Sequence, residues 1–224
     1  MFYEEDKYMK LSKRITKIIE YIDIQDKVAD IGCDHGYLGM GCLEKGVSFV
    51  QNIDNKEGPL STAKNNLKNY NNKNVVFTLC NGLDELNEAV DTVVISGMGG
   101  DLISQIVENN LFKAKKMKKL ILVAHSKVPL LRKNISKDFE IVDEDLVEEN
   151  DKIYEIIVVS PNKAVSYTEE DLLLGPILKN KRGELFLKKL TKRLTEINKI
   201  IDNTDVVLEN LKKEKEMIIK VLEK

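Results

Sequence analysis

Apolar residues recur at Leu11, Ile15, Ile18, Ile19 and Ile22, the spacing of one helical face, and predict an amphipathic N-terminal helix starting near Ser12. The period then shortens. Val28-Ala29-Asp30-Ile31 reads as a short buried strand, a glycine-bearing turn follows, and residues 37–45 read as helix. The pattern repeats with strand 48–53, helix 60–70, strand 75–79, a short helix near 83–88, strand 92–95, helix 101–110 and strand 120–123. Strands alternating with crossover helices predict an α/β fold around a parallel, doubly wound sheet. Helix 130–137 then leads into strands 140–147 and 153–159, and the polar Glu149-Asn150-Asp151-Lys152 between them predicts a closing antiparallel hairpin.

The regime changes at Ser160-Pro161-Asn162-Lys163, and beyond Gly175-Pro176 no strand pattern remains. Leu187, Leu190, Leu194, Ile197 and Ile201 are spaced 3, 4, 3 and 4, and Leu208, Leu211, Lys215, Ile218 and Leu222 repeat those intervals. Asp202-Asn203-Thr204-Asp205 supplies turn and capping residues between them. An antiparallel helical hairpin close to a short coiled coil is expected, although the same seam would also serve as ordinary core against the sheet. The expected division is 1–160 for the α/β domain and 161–224 for the helical one.

Composition narrows the setting. With 42% hydrophobic and 32% charged residues the chain has the makeup of a packed globular protein. Its first residues are acidic where a signal peptide would be basic, and its apolar runs reach only about five residues against the ~20 that span a bilayer. A soluble, cytoplasmic protein without membrane association is expected. Cys33, Cys42 and Cys80 form no C-x-x-C pair, and with only two histidines neither a disulfide framework nor a metal site is suggested. The net charge of −2 is unevenly spread: residues 161–224 carry 14 basic and 11 acidic side chains, and residues 1–160 carry 21 and 26. Basic residues cluster at Lys10, Lys13, Arg14 and Lys17 and again over 113–119, while acids crowd 140–151.

The most informative stretch is Asp30-Ile31-Gly32-Cys33-Asp34-His35-Gly36, leaving the first strand. Glycines there let backbone approach a ligand closely. The acids would repel a pyrophosphate, so the turn departs from the nicotinamide pattern and suits a cationic ligand such as S-adenosylmethionine, with its ammonium and sulfonium. Asp54, at the end of the second strand, can accept two hydrogen bonds from ribose hydroxyls. Asn81-Gly82 follows the third strand, where an amide oxygen can meet an adenine amine. After the fourth strand, Gly97-Met98-Gly99-Gly100 reads as an open loop beside a transferred group.

Taken together, Lys10-Leu11-Ser12-Lys13-Arg14, Ala29-Asp30-Ile31-Gly32, Asp34-His35, Gly58-Pro59, Gly97-Met98-Gly99-Gly100, Tyr154-Glu155 and Gly175-Pro176 resemble the TrmK family of bacterial tRNA adenine N1-methyltransferases. The resemblance spans nearly the whole chain and includes Phe186-Leu187-Lys188-Lys189. It implies a Rossmann-like class I methyltransferase domain with a C-terminal helical coiled-coil domain, acting on adenosine 22 of tRNA with S-adenosylmethionine as donor. It extends the cofactor set to Arg14, Asp34, His35, Asn55 and Met98, beside Asp30, Gly32, Gly36, Asp54, Asn81, Gly82 and Gly97. Asp34 and His125 are the candidates to receive a proton or stabilise charge. Phosphate contacts are expected from Lys10, Lys13 and Arg14 on the first helix and from Lys188, Lys189, Lys192 and Arg193 on the hairpin. A monomer is expected. Two other classes stay open on the residues alone: a methyltransferase for small molecules or proteins with a dimerising coiled coil, and a nonenzymatic adenine-nucleotide scaffold.

Overall fold

The computed structural model describes residues 11–70, 74–161, 165–203 and 208–223. Lys10, Asn162, Lys163, Thr204 and Asp205 lie outside the described residues. The first helix, α1 (Lys13–Glu20), begins at Ser12, whose hydroxyl accepts a hydrogen bond from the Ile15 amide at 3.3 Å. Strand β1 (Lys27–Ile31) leads into α2 (Tyr37–Lys45), then β2 (Phe49–Asp54), α3 (Glu57–Asn66) and β3 (Asn74–Leu79). The second half brings β4 (Thr92–Met98), α4 (Gly100–Asn109), α5 (Leu111–Ala114), β5 (Lys119–Ala124) and α6 (Val128–Ile135), then β6 (Glu140–Glu149) and β7 (Lys152–Ser160).

The seven strands order as β3-β2-β1-β4-β5-β7-β6. β1 to β5 are parallel, while β7 runs antiparallel to both β5 and β6. Asn150 and Asp151 both have positive φ, 50° and 61°, as a two-residue turn of matching twist requires between β6 and β7. The sheet is covered on both faces, which is why its central strands are almost continuously apolar. Ile18, Ile22, Leu38 and Leu43 cover one face; Ile103, Val107, Leu131 and Ile135 cover the other.

One expected element is corrected. Residues 83–88 form turns and no helix. The buried side chain of Gln51 on β2 needs partners at both ends: its amide donates to the Glu85 carbonyl at 2.9 Å, and its oxygen accepts from the Asn87 amide at 2.9 Å. Those bonds compete with the helical ladder of so short a segment.

Beyond β7, α7 (Glu169–Leu174) opens with a reciprocal Thr168–Asp171 capping box, and α8 (Leu178–Lys181), α9 (Glu184–Asp202) and α10 (Glu209–Leu222) complete the chain. Helices α9 and α10 are antiparallel: Arg193 binds Glu214 at 2.6 Å, while Arg182, before α9, donates to the Val221 carbonyl at the far end of α10. Leu190, Ile197 and Ile218 of the expected seam are buried in one apolar cluster, with Leu187, Leu194, Ile201, Leu211 and Leu222 partly buried against it, while Val221, outside that seam, is buried there as well. The same apolar cluster includes Leu146 of β6, so the helices share a core with the sheet edge. An ion network reinforces that junction. Arg132 of α6, 1% exposed, binds Glu144 at 2.7 Å and Glu155 at 2.5 Å. Lys189 of α9 reaches Glu155 at 2.6 Å, and Glu144 also accepts the Ile177 amide at 2.9 Å. Burial alone would raise the Glu155 carboxyl, but the Arg132 and Lys189 cations hold it down at about 2.

Candidate active site

At the carboxyl ends of β1, β2 and β4 lies a cleft of about 850 Å³, where the strand order reverses and an open α/β sheet leaves a crevice. The turn after β1 forms its floor. Gly32 (φ 76°) and Cys33 both donate to the Ile53 carbonyl, at 2.8 and 3.0 Å, which fastens the turn to β2. A Cβ on Gly32 would lie 2.3 Å from the Met98 methyl, so the glycine lets the loops after β1 and β4 close on one another.

The acids converge as expected. Asp30 is 5% exposed and accepts no hydrogen bond among the described residues. Burial, and then the neighbouring Asp54 and Asp34 carboxylates, push its carboxyl up to about 7. Asp54 is oriented by backbone: the Lys56 amide donates to Oδ1 at 2.9 Å and the Asp34 amide to Oδ2 at 3.3 Å. Asn55 donates to the Asn81 side-chain oxygen at 3.4 Å, which links the tips of β2 and β3. Asp34 (φ 48°) and His35 are exposed and approach each other at 3.6 Å.

Gly97 forms the irregularity between β4 and β5, where Ser96 pairs with Val123 and Met98 with Ala124. Its φ is 80°, and a Cβ there would meet nothing within 4 Å, so the bulge leaves open space in the cleft. His125, exposed at the end of β5, donates its backbone N–H to the Met98 carbonyl at 2.9 Å. Asp30, Gly32, Asp34, His35, Asp54 and Asn55 therefore border one cleft, together with Asn81, Gly82, Gly97, Met98 and His125.

Gly36 does not border it. That glycine caps α2 at φ 73° and packs against Ala63 of α3 and Leu67 at its end, so its role is the close approach of two helices. Arg14 does enter the cleft wall, where its guanidinium lies over the Tyr154 ring at 4.7 Å and its Nε is buried without a hydrogen-bond partner. Tyr154 and Lys152 also border the cleft, as do Leu102, Gln105, Ile106 and Asn109 of α4. The i, i+3, i+4, i+7 spacing of these α4 residues marks a second face, turned away from the core stripe of Ile103 and Val107, and was visible in the sequence.

The expected phosphate contacts are mostly engaged elsewhere. Lys188 binds Glu148 at 2.7 Å, Lys189 binds Glu155 and Arg193 binds Glu214, while Lys192 is exposed. On α1, Arg14 faces Glu149 at 3.9 Å and Lys17 binds Asp145 at 2.8 Å, leaving Lys13 exposed. The basic and acidic runs of the sequence thus neutralise one another across the α1–β6 contact. Among the described residues no group of three or more His, Cys, Asp or Glu side chains could hold a metal, and no helix is long and apolar enough to cross a membrane.

A parallel sheet with one antiparallel strand inserted before its edge, carboxylates at the tips of β1 and β2 and a glycine bulge at the end of β4, defines a class I, S-adenosylmethionine-dependent methyltransferase. The comparisons with known proteins make this particular. Residues 28–224 match the TrmK family, tRNA (adenine(22)-N(1))-methyltransferase, and the chain belongs to that family. The tRNA (adenine(22)-N(1))-methyltransferase of Bacillus subtilis (strain 168) is 30% identical over 203 residues, 87% of this chain and 85% of that protein. The crystal structure of the B. subtilis m1A22 tRNA methyltransferase TrmK superposes with a TM-score of 0.85 at 28% identity, over 96% of this chain and 100% of that one. A Streptococcus pneumoniae relative solved with S-adenosyl-L-methionine gives a TM-score of 0.85 at 28% identity, over 95% of this chain and 100% of that one. The chain is a tRNA (adenine(22)-N1)-methyltransferase that uses S-adenosylmethionine.

Proposed function

We propose that the cleft holds the donor between Asp30, Asp54 and Arg14 and receives the target adenosine from the side of Gly97 and His125. The observation that carries this assignment is Asp30: a buried carboxylate without a hydrogen-bond donor, crowded by two others, lacks only a cation. The donor's ammonium and sulfonium supply that charge, and the residues present fit it. Asp54, with both oxygens already oriented by backbone amides, is set to accept from ribose hydroxyls, and Asn81 lies within reach of an adenine amine. The Arg14 guanidinium, whose Nε makes no hydrogen bond and stands 3.9 Å from Glu149, suits the donor's carboxylate.

When bound, the cofactor offers an electrophilic methyl on its sulfonium. Adenine N1 carries a lone pair at neutral pH, so the chain's task is to align N1 with that methyl. N1 lies on the pairing edge, and the base must leave its stack to reach the cleft. Gly97 keeps the space beside the reacting atoms free of side chain. Methylation places a positive charge on the base, and the exposed Asp34 and His125 are positioned to balance it or to take the N6 proton.

Residues 161–224 serve, in this assignment, as a helical coiled-coil arm against which the tRNA lies. The 3–4 seam of α9 and α10 supports that, as does the exposed Lys192. Methyl transfer from radiolabelled donor to an unmodified tRNA transcript, followed by nucleoside mapping, tests the whole. Label is expected in 1-methyladenosine and lost when adenosine 22 is replaced by guanosine. Equal labelling of that variant would refute the proposed target.

A further inference from the structure

The cofactor cleft continues past the start of β7. A second cavity of about 630 Å³ lies between the strand ends and the helical arm, and His125, Lys152 and Tyr154 border both. Strand β7 is antiparallel to β5, with Leu122 opposite Ile157, which brings Tyr154 to the same edge of the sheet as His125. The cations around the second cavity fall into two groups. Lys127, Lys189 and Arg193 are paired with Asp101, Glu155 and Glu214. Lys152 and Lys192 are exposed and form no ion pair among the described residues.

Tyr154 is held from the side of the cofactor cleft, which Arg14 also borders. The Arg14 guanidinium covers the ring at 4.7 Å, and Arg14 is itself tied to β6, its amide donating to Glu149 at 3.1 Å. Three elements, α1, β6 and β7, therefore fix one aromatic ring at the partition between the two cavities. The ring is half-buried and also packs on the apolar cluster beneath α1 and α2, and a ring so fixed suits a stacking surface, which must not reorganise when a base arrives.

We propose that Tyr154 is the platform on which the target adenine stacks, and that the second cavity carries the adjoining nucleotide, its phosphates meeting Lys152 and Lys192. The proposal rests on the tRNA-methylating activity of the cleft and names the part of the chain that receives the substrate. A base turned out of its helix loses its stacking partners, and an aromatic ring replaces them without regard to sequence. Tyr37 also borders the cleft, but it follows β1 and contacts the His35 ring at 5.5 Å, on the cofactor side. Tyr154 stands at the acceptor side, level with His125 at the end of β5.

The chain lacks tryptophan, so Tyr154→Trp introduces a single such fluorophore at the platform. Steady-state methylation of tRNA and calorimetric binding of S-adenosylmethionine are measured for the wild type and for Tyr154→Phe, Tyr154→Trp and Tyr154→Leu. Tyr154→Leu is expected to lower kcat/KM for tRNA by about 10- to 100-fold, the worth of one base–aromatic stack, with cofactor affinity unchanged. The Phe and Trp variants retain activity, and tRNA quenches the Trp fluorescence. The pair Lys152→Ala and Lys192→Ala is expected to reduce the slope of log affinity against log salt by about 1.4 to 1.8.

Wild-type kcat/KM in Tyr154→Leu would overturn the platform. So would a fall in cofactor affinity that accounts for the lost activity, because Tyr154 would then only prop Arg14. An unchanged salt slope would overturn the phosphate path. A wild-type protein that methylates no tRNA would instead overturn the activity itself, and the platform with it.

Discussion

Asp30→Asn separates the two demands placed on one buried side chain. In the free protein the carboxyl titrates near 7, against 3.8 for the unfolded chain, chiefly because burial disfavours its charge and Asp54 and Asp34 add repulsion. The folded state therefore holds a proton that the unfolded state has released between about pH 4 and pH 7. Stability is full below the unfolded value and declines as pH rises through that window. A displacement of roughly 3 units corresponds to about 4 kcal/mol once Asp30 is ionised. Asparagine removes the charge but keeps the shape, so the ligand-free variant should exceed the wild type in stability at pH 8 and lose that advantage by pH 4. Discounting half of the 4 kcal/mol for relaxation leaves about 2 kcal/mol, or a Tm rise of about 4–8 °C for a chain of this size. The same variant should bind S-adenosylmethionine at least about tenfold more weakly, since the cation then meets a neutral amide. Thermal denaturation of both proteins from pH 4 to pH 8.5, with and without cofactor, reads both effects. A Tm difference independent of pH, or undiminished stabilisation of the variant by cofactor, would refute the reasoning.

Other perturbations separate binding from scaffold. Asp54→Ala should weaken cofactor binding by about tenfold or more through loss of the ribose acceptors, while moving Tm by only a few degrees; calorimetry and melting on the same samples check this. Gly97→Ala forces an L-residue to φ 80°, at a cost of about 1–2 kcal/mol, and fills the open space of the bulge. Its kcat for tRNA should fall while cofactor affinity holds, as single-turnover methylation would reveal. Arg132→Leu strands Glu144 and Glu155 in the core and should cost about 3–5 kcal/mol, lowering Tm by roughly 10 °C or more. Unaltered melting of that variant would mean that the network at the arm contributes no stability.

Much of this protein was legible along the chain because the signals are local. Short apolar runs and the 3.6 period placed the alternating strands and helices, Ser12 placed the start of α1, and Asn150-Asp151 placed the final hairpin. Parallel strands must point their carboxyl ends to one side, so the acids and glycines following β1, β2 and β4 had to meet there. What escaped the sequence depends on long-range competition. Gln51, a buried amide on a distant strand, captures the backbone of 85–87 and prevents a helix that the local pattern permits. The same holds for charge: Lys188, Lys189 and Arg193 read as free cations, yet the packing of α9 and α10 brings acids from β6, β7 and α10 against them.

The sequence by itself thus determined the α/β class, the gathering of acids and glycines at the strand tips and the helical character of the tail, since each follows from spacing within a few turns or strands. Only the tertiary structure decided that Gly36 serves helix packing, that Arg14 turns inward onto Tyr154, and which lysines remain unpaired. Those outcomes depend on residues well beyond one helical turn or strand repeat, from 21 positions apart for Arg193 and Glu214 to 135 for Arg14 and Glu149, and no local period encodes a contact across such separations.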